Sequence, residues 1–349
     1  MSRGRGSRPQ LFYSSFQPSF FGPRDGNTMI ARSLATTKLR RLADLLLLVV
    51  LAALAADLSA TTSPADSGTS RRRDKSPVLV TVNGTPITEN QLALYRLLHR
   101  LPDDSSPEAR RAVLEQLVDN ELMRQLLQDR RAEPDPKRLA AGVETLKADL
   151  RRREKESPKT AKVEITDAAL RRELFVPLAW QYHLGRVLTS STLQDEFERH
   201  RSQYDGTEVR ASQIFVKVTP QDPANKAKES EEKLTALRAE IASGKISFAE
   251  AARKDSEAPS AEKGGDVGYF AYRGPMPAEV CRVVFALKTG EVSQPFRTPF
   301  GVHLYTVTEI RPGNLSLEDV RSTVIRRVAS ELWDQLVAQA RKTAKIEWK

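Results

Sequence analysis

Two stretches decide the fold of the second half of this chain: FAEAARKDSEAPSAEKGGDVGYF at residues 248–270 and VFALKTGEVSQPFRTPFGVHLYTV at residues 284–307. At the start of the first, Ser247 and Glu250 have the spacing of a capping box, which predicts a short helix. Gly264-Gly265 then supplies a turn whose backbone needs positive φ. In the second, residues 301–307 have the alternating side-chain pattern of a strand, which predicts that every second residue is buried.

The flanking sequence completes a domain that we place at residues 206–312. Residues 209–218 alternate like a strand, residues 234–241 follow the 3/4 spacing of an amphipathic helix, and Met276-Pro277 begins a further helix. The order strand, two helices, short strand, helix and strands predicts a small α/β domain around an antiparallel sheet.

Residues 78–205 predict a mostly helical domain. Val78–Val82 reads as a strand that ends in the turn Asn83-Gly84, and Thr88 with Gln91 forms a capping-box pair. Ser106-Pro107 opens the next helix, with proline at the first helical position. We expect Pro134 and Pro136 to stop that helix, and three more helices at residues 139–150, 167–178 and 193–204. The fold class is therefore α+β.

Residues 313–349 predict a long C-terminal helix. Ser316 and Asp319 again fit a helix cap, the helix extends from Leu317 to about Ala344, and the end AKIEW reads as a short strand. One apolar face of this helix needs a partner. One partner that stays open is a second copy in a coiled-coil dimer.

The N-terminus has the pattern of an export signal at residues 29–60. Basic residues precede an unbroken apolar run at residues 45–56, and small residues follow it. The run is shorter than the ~20 residues that span a bilayer, although a retained membrane anchor and a core helix stay open as alternatives. Residues 1–28 read as disordered or as a mis-annotated start before Met29, and residues 61–77 read as a linker. We therefore expect a periplasmic or other extracytoplasmic protein, or one anchored in the inner membrane and facing outward.

Composition excludes several classes of function. The formal net charge is +10, but residues 1–75 carry 12 Lys/Arg against 5 Asp/Glu, so the rest of the chain is nearly balanced. Nothing later in the chain combines a basic stripe with interleaved aromatic residues, which argues against a nucleic-acid partner. One cysteine, Cys281, and four scattered histidines leave no metal-binding motif. No metal, nucleotide or organic cofactor is expected.

The second half resembles parvulin-type peptidyl-prolyl isomerases across residues 211–307. The resemblance is carried by ASQIFV (211–216) together with the two stretches quoted first. Several linked motifs in the right order make it specific. The segments VNG–TPIT (82–88) and LEQLVDNELMRQLL (114–127) resemble the N-terminal chaperone domain of exported parvulin foldases. The resemblance implies a small isomerase domain with a four-stranded antiparallel sheet, inserted before a C-terminal helix that packs back on the chaperone domain.

Parvulins need no covalent chemistry. Rotation about a peptide bond faces a barrier of ~18–20 kcal/mol, and X–Pro bonds exchange over tens to hundreds of seconds. A catalyst must grip the pyrrolidine ring, exclude water and favour the twisted amide. The resemblance places the proline pocket at Val267, Phe270, Met276 and Val280, although Phe270 and Val280 also fit an ordinary core role.

The polar part of the site departs from the family pattern. Parvulins usually have a histidine where this chain has Gln213, and an Asp or Cys where it has Ala258. His303 matches the second histidine, and Thr298 matches a common hydroxyl position. We expect Gln213 to hydrogen-bond His303 across adjacent strands, whereas His303 could also be a core residue with all its hydrogen bonds made.

Three functions therefore stay open. The first is a prolyl isomerase, weakened by Gln213 and Ala258, with an attached chaperone domain that holds unfolded or nascent exported polypeptides containing proline. The second is a non-catalytic chaperone with a degenerate isomerase domain. The third is an anchored adaptor that binds one folded partner.

Overall fold

The computed structural model describes residues 76–101, 106–156, 163–223 and 225–349. The calls on residues 1–28, on the export signal at 29–60 and on most of the linker at 61–77 lie outside these residues. The elements of the first half are β1 (Val78–Val82), β2 (Thr85–Thr88), α1 (Glu89–Leu98), α2 (Pro107–Asp129), α3 (Pro136–Glu156), α4 (Asp167–Val187), α5 (Ser190–Arg199) and a 3₁₀ turn (Arg201–Gln203).

The elements of the second half are β3 (Glu208–Lys217), α6 (Lys226–Ala242), α7 (Phe248–Asp255), a 3₁₀ turn (Ala261–Lys263), β4 (Asp266–Ala271), α8 (Ala278–Val284), β5 (Phe296–Thr298), β6 (Gly301–Arg311), α9 (Leu317–Thr343) and β7 (Ile346–Trp348). In the part of the chain described, no helix is both long enough and apolar enough to cross a membrane.

The predicted helix starts are confirmed at the caps. Thr88, Ser247 and Ser316 each accept a backbone N–H three residues on, and the side chain at that position bonds back to the cap. These bonds satisfy donors that a helix start would otherwise leave unpaired. Ser106 caps α2 in the same way, with Pro107 at the first helical position.

Three details of the prediction were wrong. Helix α4 continues through Pro177 to Val187, because the turns beyond the proline bury Trp180 and Leu184 in the core. Pro136 starts α3 instead of ending α2. The strand at residues 301–307 buries all seven residues and not every second one, since both faces of its sheet are covered.

The ends of the described chain meet in a small sheet of order β2-β1-β7. Strand β2 follows the Asn83-Gly84 turn, where both residues have positive φ, and it was not predicted. Strand β7 pairs antiparallel with β1, placing Trp348 opposite Val80. The N–H of Asn83 donates to the Lys345 carbonyl at 2.8 Å, which fastens the C-terminus to the first hairpin.

Helix α9 packs against the first half of the chain. Trp333 meets Trp180 of α4 edge to face, with ring centroids 5.4 Å apart, and α2 adds Met123 and Leu127 to the same core. The Arg341 guanidinium bonds Asp119 at 2.6 Å and Glu115 at 2.9 Å, both on α2. The helical module, which we define as residues 76–204 together with 316–349, is therefore built from two distant segments.

Residues 208–311 form a four-stranded antiparallel sheet of order β4-β3-β6-β5. One face is aliphatic: Ile214 and Leu304 pack under Leu234 of α6 and Ala251 of α7. The opposite face carries Val209, Tyr305 and Val307 and is partly covered by α8. This second face bears the candidate site residues on neighbouring strands.

Candidate active site

His303 lies in an aromatic stack on the second face of the sheet. It is opposite Phe215 in the register of β3 and β6, with ring centroids 4.7 Å apart. Phe296 lies at 5.6 Å and Tyr305 at 6.0 Å, both stacked on the imidazole. Only 7% of His303 is exposed. The stack holds the ring in one orientation.

The imidazole has one polar partner. Its Nε2 lies 2.8 Å from the hydroxyl oxygen of Thr298, and the same oxygen accepts the backbone N–H of the exposed Phe300 at 3.2 Å. Its Nδ1 is buried and finds no partner in the described part of the chain. Burial lowers the pKa of His303 to about 4, so the ring is neutral near pH 7.

Gln213 does not bond His303, so that expectation was wrong. Its side-chain oxygen accepts the Tyr305 hydroxyl at 2.9 Å, and its amide nitrogen lies 3.4 Å from Ser260 Oγ. The reason is the strand register, which places Gln213 opposite Tyr305 and moves His303 two residues along β6 to face Phe215.

Ala258 lies in the loop after α7, against β3. Ser256 Oγ accepts the backbone N–H of Phe215 at 3.1 Å and that of Ala258 at 3.2 Å, while Glu257 N donates to the Phe215 carbonyl at 2.7 Å. The Ala258 methyl group is buried. This loop therefore packs a buried methyl group beside β3.

The Gly264-Gly265 pair fixes the turn between that loop and β4, with φ of 68° and 84° as predicted. The Gly265 carbonyl accepts the Gln213 N–H at 2.9 Å. A Cβ at Gly265 would lie 2.4 Å from the Gln213 carbonyl oxygen, so only glycine allows this approach. The turn thereby places Val267 and Phe270 beside β3.

The four predicted pocket residues lie in one apolar cluster with Tyr305 and Val307. Phe270 and Val280 are 6% and 1% exposed, so they form its floor, whereas Val267 and Met276 are partly exposed. Phe285 packs edge to face on Tyr272 at 5.2 Å and widens the same surface. The structure thus brings together an apolar wall and a neutral imidazole.

Sequence reasoning missed the aromatic members of this surface. Phe215 and Tyr305 lie two residues from Gln213 and His303 on their strands, so they face the same side of the sheet. That period-two relation was available from the sequence. Phe296 was not accessible in the same way, because its contact with His303 depends on how β5 pairs with β6.

The helical module has a separate open cleft of about 490 Å³ between α1, α2, α3 and α4. Phe175 and Leu139 contribute apolar surface, and Arg124, Arg171 and Arg172 contribute charge. A cleft of mixed lining and this size can accept a short length of extended polypeptide.

Comparison with known proteins matches one segment of the chain to a described family. The family "Rotamase: PPIC-type PPIASE domain" matches residues 214–309. "Chaperone SurA" of Polaromonas sp. strain JS666 is 35% identical over 150 residues, which are 41% of this chain and 30% of that protein. "Foldase protein PrsA" of Bacillus subtilis strain 168 is 37% identical over 105 residues, 30% of this chain and 31% of that protein.

One solved structure also aligns with this chain at low identity. A crystal structure of peptidylprolyl isomerase PrsA from Bacillus anthracis covers 66% of this chain and 95% of that one, at 19% identity and a TM-score of 0.39. The aligned region spans about a third of the two curated relatives named above. The assignment of residues 214–309 to a parvulin-type domain rests on the family match alone.

Proposed function

We propose that this chain, whose residues 214–309 form a PPIC-type peptidyl-prolyl isomerase domain, is an exported foldase. It would catalyse cis-trans isomerisation of X–Pro bonds in unfolded polypeptides and hold those polypeptides on its helical module. The observation that carries the proposal is the partly exposed apolar wall of Val267 and Met276 beside the neutral, oriented imidazole of His303.

The apolar wall matters because the barrier to rotation is amide resonance. The planar amide carries separated charge, which water stabilises by hydrogen bonds to the carbonyl oxygen. A proline ring bound against Met276 lies above Phe270 and Val280. Binding there removes the amide from water and places it in apolar surroundings. The twisted amide, which has less charge separation, then becomes relatively more favourable.

In this proposal the polar residues mainly hold the wall in shape. Thr298 fixes the His303 ring, which in turn supports the stacked rings of Phe215 and Phe296. Gln213 fixes Tyr305 through its hydroxyl. Ala258 supplies neither charge nor thiol, so the rate enhancement would come from desolvation and fit, and we expect slow turnover.

The helical module would supply the chaperone activity. Its cleft of about 490 Å³ is open to solvent and combines apolar with cationic lining. Curated relatives of this chain are named chaperone and foldase, which is consistent with such a role. Export would follow from the basic, apolar and small-residue pattern at residues 29–60.

A non-catalytic chaperone is the second candidate, and two residues favour it. Gln213 is engaged with Tyr305, and Ala258 leaves the substrate side of the site without a charge or thiol. Such a protein would bind proline-containing segments without accelerating their isomerisation.

A protease-free isomerisation assay on a proline tetrapeptide separates the two candidates. We expect a rate above buffer that falls about tenfold on Met276→Ala, since the pyrrolidine ring loses an apolar contact. Arg253→Ala, at an exposed arginine of α7 under the aliphatic face, is the matched control and should leave the rate unchanged. A wild-type rate equal to buffer would eliminate the enzyme and leave the binding protein.

Chaperone activity is tested on the same preparation by suppression of aggregation of an unfolded client. Suppression together with turnover supports the full proposal, and suppression alone supports the second candidate. Neither activity would favour an adaptor for one folded partner. The double variant Gln213→His with Ala258→Asp should raise the isomerisation rate if these positions touch the site as the resemblance to parvulins implies.

A further inference from the structure

We propose that Tyr204 and Arg273 are positioning residues that tie the pocket loop, residues 272–277, to the helical module. The pocket loop connects β4 to α8 and carries Met276. The inference rests on the proposed function for its kinetic consequence. Its structural part stands on contacts between the two halves of the molecule.

The contact is made by one side chain of the loop. The Arg273 guanidinium carbon lies 5.5 Å from the centroid of the Tyr204 ring, within the distance of a cation–π interaction. Arg273 lies three residues before Met276 in a segment without helix or strand. Within this loop Tyr272 packs on Phe285 of the same domain, whereas the Arg273 side chain contacts a ring outside that domain, so its release would change where Met276 lies.

Tyr204 is a rigid partner for that contact. It is 4% exposed, and its hydroxyl donates to the buried carboxylate of Glu196 at 2.9 Å. Its ring stacks on Phe197 at 6.2 Å and packs against Val324 of α9. The ring is therefore fixed by helices of the helical module and not by the isomerase domain.

A second arginine approaches the same ring. Arg327 of α9 lies 5.7 Å from the Tyr204 centroid. Its Nε is 2.9 Å from Glu331 and 3.5 Å from Glu196, which offsets part of its charge. Burial, together with the charges of Arg327 and Arg326, nevertheless lowers the pKa of Arg273, so the contact with the ring face is made against this repulsion.

The backbone connections explain why a third contact matters. The chain passes twice between the two halves, and both passages lie side by side: Gly313 N donates to Thr207 Oγ1 at 3.0 Å, and Leu315 N donates to the Asp205 carbonyl at 2.9 Å. Adjacent passages act as a hinge, about which the isomerase domain can still rotate. The contact between Arg273 and Tyr204 is a restraint outside the backbone connections. It holds the pocket loop in place against such a rotation.

The consequence is a dependence of substrate binding on the helical module. If Arg273 is released, Met276 occupies its binding position for a smaller fraction of the time, and the apparent dissociation constant rises by the inverse of that fraction. The bound complex is unchanged, so the turnover number is not affected. A variant that merely unfolded the domain would instead lower the concentration of active enzyme and leave KM as it was.

The test compares Arg273→Ala with Arg273→Lys in the full chain. We expect Arg273→Ala to raise KM for a peptide with one Ala–Pro bond about threefold at unchanged kcat, and Arg273→Lys, which keeps a cation, to stay near wild type. Tyr204→Phe keeps the ring and should also preserve KM. Arg253→Ala, which removes a surface arginine elsewhere in the domain, is the control for net charge.

Hydrogen exchange of residues 272–277 makes the result independent of catalysis. Exchange should speed up in Arg273→Ala and return to the wild-type rate in Arg273→Lys. Unchanged exchange in Arg273→Ala overturns the proposal whether or not the protein is an enzyme. Faster exchange in Arg273→Ala, combined with no turnover by the wild-type protein, supports the contact and refutes the proposed function. Turnover with KM unchanged in Arg273→Ala refutes the link between loop and binding.

Discussion

The two halves of this molecule differ in which parts of the chain build their cores. The four-stranded sheet is formed by one continuous stretch, Glu208 to Arg311, whereas the helical module needs both ends of the described chain. Its core joins α2 and α4 to α9, and its small sheet joins β1 to β7. The difference teaches that the first half cannot complete its core until the last residues of the chain have been made, while the inserted domain can fold earlier.

All three tryptophans lie in one of these two halves. Trp180, Trp333 and Trp348 belong to the helical module, and residues 206–312 contain none. Tryptophan fluorescence therefore reports unfolding of the helical module alone. Hydrogen exchange of β3 and β6 reports the other half.

The largest expected effect comes from removing residues 314–349. This truncation deletes α9 and β7, which exposes Met123, Leu127 and Val80 to water. We expect the helical module to lose its cooperative unfolding transition, measured by fluorescence of Trp180 during urea denaturation. A fragment of residues 206–312 should fold alone and keep its sheet. A cooperative helical module without α9 would show that the two-segment description is wrong.

Trp333→Ala should destabilise the helical module by about 3–5 kcal/mol, because a large buried side chain leaves a cavity against Trp180. The remaining tryptophans still report the transition. Tyr182→Ala, at an aromatic side chain of α4 that is 49% exposed, is the matched control and should change stability by less than about 0.5 kcal/mol. Equal effects of both variants would mean that α9 does not supply this core.

The same comparison shows what a sequence can predict. Helix caps at Thr88, Ser247 and Ser316 were correct, since each depends only on residues three positions apart. The partner of Gln213 was wrong because it depends on the register between β3 and β6, strands about ninety residues apart that include a bulge.

Tertiary packing also overrode local signals. The helix predicted at residues 167–178 continues to Val187, because the residues beyond Pro177 are held in the core with Trp333. Strand β2 contains Pro86 and is only four residues long, so its pattern is too short to distinguish from a turn. The pocket residues, by contrast, came from a motif-level resemblance, because their exposure depends on how α8 and β4 lie beside the sheet.

Gly265→Ala tests the four-stranded domain at a close backbone approach between β3 and the turn before β4. The added Cβ meets the Gln213 carbonyl at 2.4 Å in a left-handed conformation, so we expect a loss of about 2–4 kcal/mol, seen as earlier unfolding of β3 and β4 in hydrogen exchange. Gly244→Ala has a similar φ of 74° with open space around it and should cost about 1 kcal/mol. The difference between the two variants isolates the clash. If both variants lose the same free energy of unfolding, β3 and the turn before β4 are not as close as described.

The smallest expected effect is a pH dependence confined to the isomerase half. The pKa of His303 is about 4 when folded and near 6.5 when unfolded, so the unfolded chain binds more protons between these values. Stability from this group is complete above pH 6.5 and declines as the pH falls toward 4, by an amount on the order of 2 kcal/mol. His303→Phe keeps an aromatic ring in the stack with Phe215 and Phe296 but removes the titration. Hydrogen exchange of β6 should therefore speed up on acidification to pH 4.5 in wild type and much less in the variant. The same acceleration in both would assign the effect to other groups and leave His303 with no part in it.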